Sequence, residues 1–215
     1  MKVALFLTGH TRTFEKTKQS LLNLFKEQEL DIYCCTWDNN GHYSISNKFE
    51  LEIKKELILS EKEFNLQKKT FKFEDRNYDI FKTCKRAAEH GEYWINRLMA
   101  QWYCVQKSFD LLENYEEYDL IFRSRYDILF SERIKLEKNN FLNVPINKHH
   151  VYNDHFAYGN PVIMKKYSNL YDAYLEMYRE SNIDISYAEK MLKFYIEDYC
   201  KIKTSFFDYR YRILK

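Results

Sequence analysis

Two arginines and an aspartate lie between apolar residues in the segment 119–130, which reads DLIFRSRYDILF. If the whole segment is a strand, Arg123, Arg125 and Asp127 alternate with apolar residues and share one face with Ile121. Charged side chains on such a face are costly to bury unless each finds a partner. Two interpretations follow. The strand end opens into a polar cleft where a carboxylate holds a metal and arginines bind phosphates, or an Arg–Asp network only stabilises the fold.

The amino terminus has the pattern of strand, glycine turn and helix. An apolar run at 3–7 predicts a buried strand, and helical spacing of apolar residues predicts a helix over 13–28. Between them, Thr8 and Gly9 allow a close backbone approach, and Arg12 is a candidate for binding a phosphate or a uracil edge. One glycine is not a GxGxxG fingerprint, so a plain strand-to-helix turn is the alternative.

Further candidates follow two other predicted strands. The strand at 31–36 ends in Trp37 and Asp38, and a third strand is predicted at 70–73, shortly before Asp75. Residues 49–64 are polar and predict a helix. Ligands of open α/β sheets bind at the carboxyl ends of strands, so Asp38 and Asp75 are candidate nucleotide contacts.

The longest predicted helices cover 92–115 and 164–178. On the first, residues such as Trp94, Leu98 and Trp102 form one apolar stripe, which predicts a core-facing side. Arg97 and Gln101 lie on a different face. Arg97 is therefore a candidate to reach the nucleotide, and exposure to solvent is the alternative.

A second polar group, NDHFAYG, occupies 153–159. The histidine and aspartate spacing around it matches no zinc pattern. Asp154 is instead a candidate general base, close to a Gly159 turn that lets a loop wrap a ligand. Glu189 is the second candidate base, although Ser186 three residues before it also fits a helix-capping box.

Composition limits the classes of protein. The chain has 215 residues, 45% of them hydrophobic and 31% charged, which fits one globular domain over 1–215. A net charge of +2 argues against a general nucleic-acid binder. Apolar runs are shorter than the roughly 20 residues of a membrane span, so no transmembrane segment is predicted. Five cysteines without a CxxC pair predict free thiols and a cytoplasmic location.

Four segments in this order resemble a small GT-A-type glycosyltransferase, of the kind that builds surface polysaccharides and glycans in bacteria and large DNA viruses: 3–12, 31–38, 123–127 and 153–159. The resemblance implies an α/β, GT-A-like (Rossmann-related) domain with a central, mostly parallel sheet flanked by helices. It implies sugar transfer from a nucleotide diphosphate, with a UDP-sugar as the expected donor, to a hydroxyl of a glycan acceptor. Further transferase modules are expected partners.

In such enzymes an Asp-x-Asp motif holds Mn²⁺ or Mg²⁺, and the matching triplet here is Arg125-Tyr126-Asp127. Only Asp127 therefore carries over as a metal ligand. The remaining roles implied by the resemblance are diphosphate binding by Arg12, Arg123 and Arg125, nucleoside contacts by Thr8, Gly9 and Asp75, and a base at Asp154 or Glu189. Two alternatives stay open. They are a carbohydrate-binding protein with a degenerate transferase fold, and a nucleotidyltransferase, which usually has a longer glycine-rich loop.

Overall fold

A computed structural model describes residues 1–38, 44–67, 85–146, 152–180 and 187–214. The strands are β1 Lys2–Gly9, β2 Glu29–Trp37, β3 Lys55–Leu59, β4 Leu120–Arg125, β5 Ile128–Phe130, β6 Leu142–Pro145, β7 Phe156–Gly159, β8 Thr204–Phe207 and β9 Tyr211–Ile213. The helices are α1 Phe14–Leu22, α2 Ile45–Phe49, α3 Glu61–Gln67, α4 Lys85–Phe109, α5 Pro161–Ser168, α6 Leu170–Glu180 and α7 Ala188–Phe194. Short 3₁₀ turns at Asn23–Phe25 and Tyr115–Glu117, and a π-helical turn at Tyr195–Tyr199, complete the regular structure of these residues.

Seven strands form one sheet in the order β3-β2-β1-β4-β7-β6-β8. The first four strands are parallel, β7 is antiparallel to both of its neighbours, and β8 is parallel to β6. Strands β5 and β9 pair separately as an antiparallel ribbon. The predicted α/β class, with a mostly parallel central sheet flanked by helices, is confirmed.

Side-chain alternation along the central strands separates two cores. On β1, Ala4 and Phe6 pack with α4 to α7, whereas Val3, Leu5 and Leu7 pack with α1, α2 and β5. A strand buried on both faces reads as a continuous apolar run, which is why 3–7 predicts β1 correctly. None of the helices within the described ranges is long and apolar enough to cross a membrane.

The segment 119–130 is not one strand, so that prediction is wrong. Strand β4 ends at Arg125, the chain turns at Tyr126 and Asp127, and β5 leaves the main sheet to pair with β9. The turn is fixed by a hydrogen bond from Thr17 Oγ1 of α1 to the Tyr126 carbonyl. Arg123 and Arg125 therefore share a face of β4, as predicted, but Asp127 lies beyond the strand end.

Several other boundaries also differ from the predictions. A polar strand, β3, occupies part of the segment 49–64, for which only a helix is predicted, and α3 follows it. Half-buried positions along this outermost strand explain its weak apolar signal. Helix α4 begins and ends earlier than 92–115, and the helix predicted at 164–178 is divided at Asn169. The predicted strand at 70–73 lies outside the described residues.

Candidate functional site

The candidate site lies at the edge of the sheet where β1, β2 and β4 end. Because β7 runs antiparallel to β4, the loop before β7 begins at this same edge, and Ser124 pairs with Phe156. From β1 the chain continues to β2 and then β3 on one side of β1, whereas β4 lies on the other side of β1, so the strand order reverses here. In open α/β sheets such a reversal creates a crevice that binds ligands. Thr8 of β1 and Arg125 of β4 pair in register beside this crevice.

Arg123 is almost fully buried, with 1% of its surface exposed. Its Nε donates to Thr8 Oγ1 at 3.1 Å, and an Nη1 hydrogen bond reaches the backbone carbonyl of Asp154. These two acceptors are uncharged, so neither of them neutralises the charge of the guanidinium. Arg123 therefore joins β1, β4 and the loop before β7.

Arg125 forms a two-pronged ion pair with Asp127. Its Nε lies 2.9 Å from Asp127 Oδ1, and its Nη2 lies 2.6 Å from Oδ2. The side chains retain 29% and 21% exposure, so this pair borders solvent, unlike Arg123. Both carboxylate oxygens of Asp127 are engaged by one guanidinium, the arrangement that makes Arg–carboxylate pairs geometrically specific.

Asp154 is buried and receives a hydrogen bond from Gln101 Nε2 of α4 to its Oδ2, at 2.6 Å. Burial alone would raise the pKa of Asp154, but the charge of His155, the Gln101 bond and the charges of Arg123 and Arg125 together lower it below the usual value. The carboxyl group is thus held as an anion. A carboxylate with a lowered pKa is a weak proton acceptor near neutral pH.

Three polar side chains continue the site on the other side of Asp154. Tyr211 of β9 accepts a hydrogen bond from Asn153 Nδ2, and its hydroxyl oxygen lies 2.6 Å from His155 Nδ1. Burial lowers the pKa of His155, and the charges of Arg125 and Arg123 add to this, against the opposing effect of Asp154. The Asp154 carboxylate, with Oδ1 3.5 Å from Nε2, favours the ring proton on Nε2, which leaves Nδ1 to accept the Tyr211 hydroxyl hydrogen.

Several predicted residues line the rim of the same edge. Gly9 has a φ of +107°, and a Cβ there would meet nothing within 4 Å, so the space beside it is open. Thr36 Oγ1 donates to the Gly9 carbonyl at 2.8 Å and fixes this turn. Arg12 is exposed between β1 and α1, and Asp38 is half-buried directly after β2. Their positions at the carboxyl edge agree with the prediction, whereas their nucleotide contacts stay predictions.

The remaining predicted site residues are Glu189, Arg97 and Asp75. Glu189 is half-buried near the start of α7. Burial raises the pKa of Tyr211, and the charge of Glu189 makes a smaller contribution in the same direction. Arg97 is exposed on α4, one turn before Gln101, and its guanidinium lies 5.8 Å from the centre of the Tyr93 ring. Asp75 lies outside the described residues. Ser186 does too. The N-cap of α7 is Tyr187, without a side-chain cap bond, so Glu189 lies two residues after the cap instead of the three that a capping box requires.

Asp127 is the predicted metal ligand. In the described ranges, no three or more His, Cys, Asp and Glu side chains are placed to hold a metal ion together. Asp127 turns both oxygens toward Arg125. With both of its oxygens bonded to Arg125, Asp127 as arranged here does not serve as a ligand for Mn²⁺ or Mg²⁺, and the metal stays a prediction.

The site also contains four residues that were not predicted as site residues from the sequence: Gln101, Asn153, His155 and Tyr211. The signal for Gln101 was its position on the polar face of α4, four residues after Arg97. Tyr211 had no comparable signal, because its role depends on β9 pairing with β5 across more than 80 residues of chain. Non-local pairing of this kind is not encoded in local spacing.

A second cleft lies at the opposite edge of the sheet, where β1 to β3 begin, and its polar groups pair with one another. Tyr118 donates to Asp31 Oδ2 at 2.7 Å, and the Tyr33 and Tyr118 hydroxyls lie 2.8 Å apart. Lys54 pairs with the other Asp31 oxygen at 3.4 Å. This network explains the cleft as structural.

Comparisons with known proteins identify no relative. A scan against protein-family models found no match, and a search of curated proteins found none either. Two arginines, two aspartates, a neutral histidine and a tyrosine meet at a sheet edge that commonly binds nucleotides. Such a set can bind a polyanion, orient it and hold a hydroxyl group for reaction.

Proposed function

We propose that this chain is a glycosyltransferase that moves a sugar from a nucleotide diphosphate donor, with a UDP-sugar as the first expectation, to a hydroxyl of a glycan acceptor. The observation that carries the proposal is the position of Arg123 and Arg125. Both lie at the end of β4, beside the open turn at Gly9, where the strand order reverses. Cationic side chains at this place suit a diphosphate.

The sheet order adds support for a GT-A fold. Four parallel strands continue through one antiparallel strand, β7, into the outer pair β6 and β8. A central, mostly parallel sheet with ligands at the carboxyl ends of its strands is what the resemblance to GT-A transferases implies. The antiparallel strand brings the loop of Asp154 to the same edge, so that donor and acceptor groups can meet there.

The reaction requires stabilisation of charge on the leaving diphosphate. As the bond between the sugar and the phosphate oxygen breaks, negative charge grows on the diphosphate, and fixed cations stabilise that charge more in the transition state than in the ground state. Arg125 and Arg12 are placed at the open edge to supply it. Arg123, buried behind them, orients Thr8 and the Asp154 loop.

An acceptor hydroxyl must also lose its proton. Of the two predicted bases, Asp154 is buried with a lowered pKa, whereas Glu189 is half-buried and close to Tyr211. We therefore assign proton acceptance to Glu189 and assign Asp154 to holding Arg123, His155 and Gln101 in place. Asp154 as the base stays a prediction that kinetics can test.

Thermal shifts with UDP-, GDP-, dTDP- and CMP-sugars, with and without Mn²⁺, test the proposal, followed by a transfer assay with any donor that binds. A ligand that binds only the folded state raises the midpoint temperature of thermal unfolding by mass action. We expect one donor class to stabilise the protein, and Arg125→Gln to remove the effect. Arg133→Gln is the matched control, because Arg133 is exposed and pairs with Glu27 just before β2, at the opposite edge.

The competing function is binding of carbohydrate without catalysis. It is favoured by the single carboxylate, Asp127, at the position of the Asp-x-Asp motif. It predicts that glycans raise the midpoint while no nucleotide or nucleotide sugar does. That result, with folded protein, would overturn the transferase proposal. A nucleotidyltransferase would instead consume a nucleoside triphosphate and a sugar phosphate in the same assay.

A further inference from the structure

The pair formed by Arg125 and Asp127 has a property that the buried Arg123 lacks. Its charges neutralise each other through two parallel N–H···O bonds, yet both side chains border solvent. A carboxylate and a phosphate present the same pair of acceptor oxygens to a guanidinium. The edge of Arg125 formed by Nε and Nη2, which could bind a phosphate, is therefore already covered by a group of matching shape.

We propose that Asp127 is an internal substitute for the donor diphosphate, so that the diphosphate binds Arg125 by displacing Asp127. The inference rests on the proposed function for the identity of the displacing ligand. It assigns Asp127 a role in controlling anion binding instead of the expected role as metal ligand. A phosphate competes with Asp127 for the same two donor groups, and the carboxylate also repels the phosphate while it stays in place.

Local structure allows this exchange without unfolding. Asp127 lies in the turn after β4, and its backbone carbonyl accepts a hydrogen bond from the Leu214 amide. The backbone is thus fixed by the ribbon of β5 and β9, while the carboxylate can move by side-chain rotation alone. Partly exposed ion pairs are weak in water, so their separation is easily offset by a stronger ligand.

Open space at the adjacent turn supports the same inference. Thr8 is the register partner of Arg125, and the adjacent Gly9 leaves its side-chain position empty to at least 4 Å. A diphosphate placed there would lie against the backbone of the turn, next to the residue that is the register partner of Arg125. Arg123 would remain with Thr8 and the Asp154 carbonyl, because its acceptors are buried and uncharged.

The test is calorimetric titration of the protein with inorganic pyrophosphate in the presence of EDTA. Pyrophosphate carries the diphosphate group without base or sugar. We expect Asp127→Asn to bind it about 5- to 20-fold more tightly than the wild type, because removal of a competing, repelling charge is worth factors of this order. Asp110→Asn is the matched control, since Asp110 is exposed and pairs with Lys107 at 3.1 Å. It should leave the affinity unchanged.

The double variant Arg125→Gln/Asp127→Asn identifies the guanidinium as the group released. We expect it to lose the gain seen in Asp127→Asn, which a sum of independent effects would not predict. If Asp127→Asn fails to fold, Asp127→Ser provides the same loss of charge, and circular dichroism confirms the fold of each variant before titration.

Each outcome decides the inference. If folded Asp127→Asn binds pyrophosphate in EDTA no more tightly than the wild type does, the inference is overturned. If the variant loses pyrophosphate affinity only in Mn²⁺ buffer, Asp127 is assigned to a metal instead. The proposed function fails separately. If the wild type transfers no sugar from any donor while Asp127→Asn still binds pyrophosphate more tightly, the displacement stands and only the transferase assignment is lost. If neither protein binds pyrophosphate, the displacement is overturned whatever the transfer assay shows.

Discussion

Gln101 of α4 donates a hydrogen bond to Asp154 Oδ2 at 2.6 Å, which ties the longest helix to the loop before β7. The helix packs against β1 and β2 through its apolar stripe, while this one polar side chain reaches the sheet edge. Because the acceptor is a buried carboxylate, the bond stabilises a charge that water does not reach. The relationship connects the position of α4 to the ionisation of the site.

The first prediction concerns this bond. Gln101→Met keeps the length of the side chain but removes the donor, so the free energy of unfolding should fall by about 2 kcal/mol at neutral pH, as expected for a hydrogen bond to a charged group. Urea unfolding measures the change. Gln106→Met is the control, because Gln106 makes a bond of the same length, 2.6 Å, to the exposed Asp172. It should cost less than about 1 kcal/mol, because water can replace the lost donor. Equal losses in the two variants would show that burial of Asp154 adds nothing.

The second prediction concerns acid stability. The folded-state pKa of Asp154 lies below its ordinary value, so the carboxylate stabilises the fold fully above the unfolded pKa of about 3.9. This contribution is lost as the pH falls through the lower, folded-state pKa. Asp154→Asn should cost about 3 kcal/mol at pH 7, because it removes a partner of buried charges. The difference from wild type should therefore shrink as the pH falls below about 3.9 and through the lower, folded-state pKa.

Chemical denaturation at several pH values measures this convergence. Asp172→Asn serves as control, since Asp172 also accepts a glutamine hydrogen bond but is exposed. Its effect should be small at every pH. A constant difference between wild type and Asp154→Asn from pH 7 to pH 3 would contradict a lowered pKa in the folded protein.

How much of this arrangement could be predicted depends on whether the cause is local. The apolar run before Gly9 and the alternation of Arg123 with Arg125 are local, and both predict the observed strands. Asp127 fits the same alternation but leaves the strand, because β5 pairs with β9 near the carboxyl terminus. Sequence spacing carries no information on that partner.

The site itself was predicted in part for the same reason. Arg123 and Asp154 lie 31 positions apart in sequence, and they meet because β7 runs antiparallel to β4. The sequence suggested polar roles for both residues but not their contact. Tyr211 meets Asn153 and His155 only through the fold, so its place in the site could not be predicted from residue type.

The third prediction concerns Tyr211. Tyr211→Phe removes the hydroxyl that contacts Asn153 Nδ2 and His155 Nδ1, and leaving buried partners unsatisfied should cost about 1–3 kcal/mol. The neutral ring of His155 should also change from mainly the tautomer with its proton on Nε2 to a mixture of the two tautomers. Nitrogen chemical shifts of the imidazole measure this, with His155→Gln used to assign the signal among the 6 histidines of the chain.

The matched control is a tyrosine two residues away. Tyr209→Phe also removes a hydroxyl bond, from Tyr209 to the Glu132 carbonyl, but it does not touch His155. It should lower stability without altering the imidazole shifts. If both tyrosine variants leave the shifts unchanged, the hydroxyl of Tyr211 does not determine the tautomer of His155.

The last prediction separates the two carboxylates in the proposed transfer. If Glu189 accepts the proton of the acceptor hydroxyl, Glu189→Gln should lower kcat by about 10²- to 10⁴-fold with little change in the donor KM. Asp154→Asn should instead raise the donor KM and lower stability, because Asp154 is buried against Gln101 and the loop that holds Arg123. Glu176→Gln is the control, as Glu176 is exposed on α6 and bonds only to Tyr199 among the contacts described for it. A loss of kcat in Asp154→Asn with donor KM and stability preserved would return the base to Asp154, since a group that only holds the site cannot change the chemical step alone.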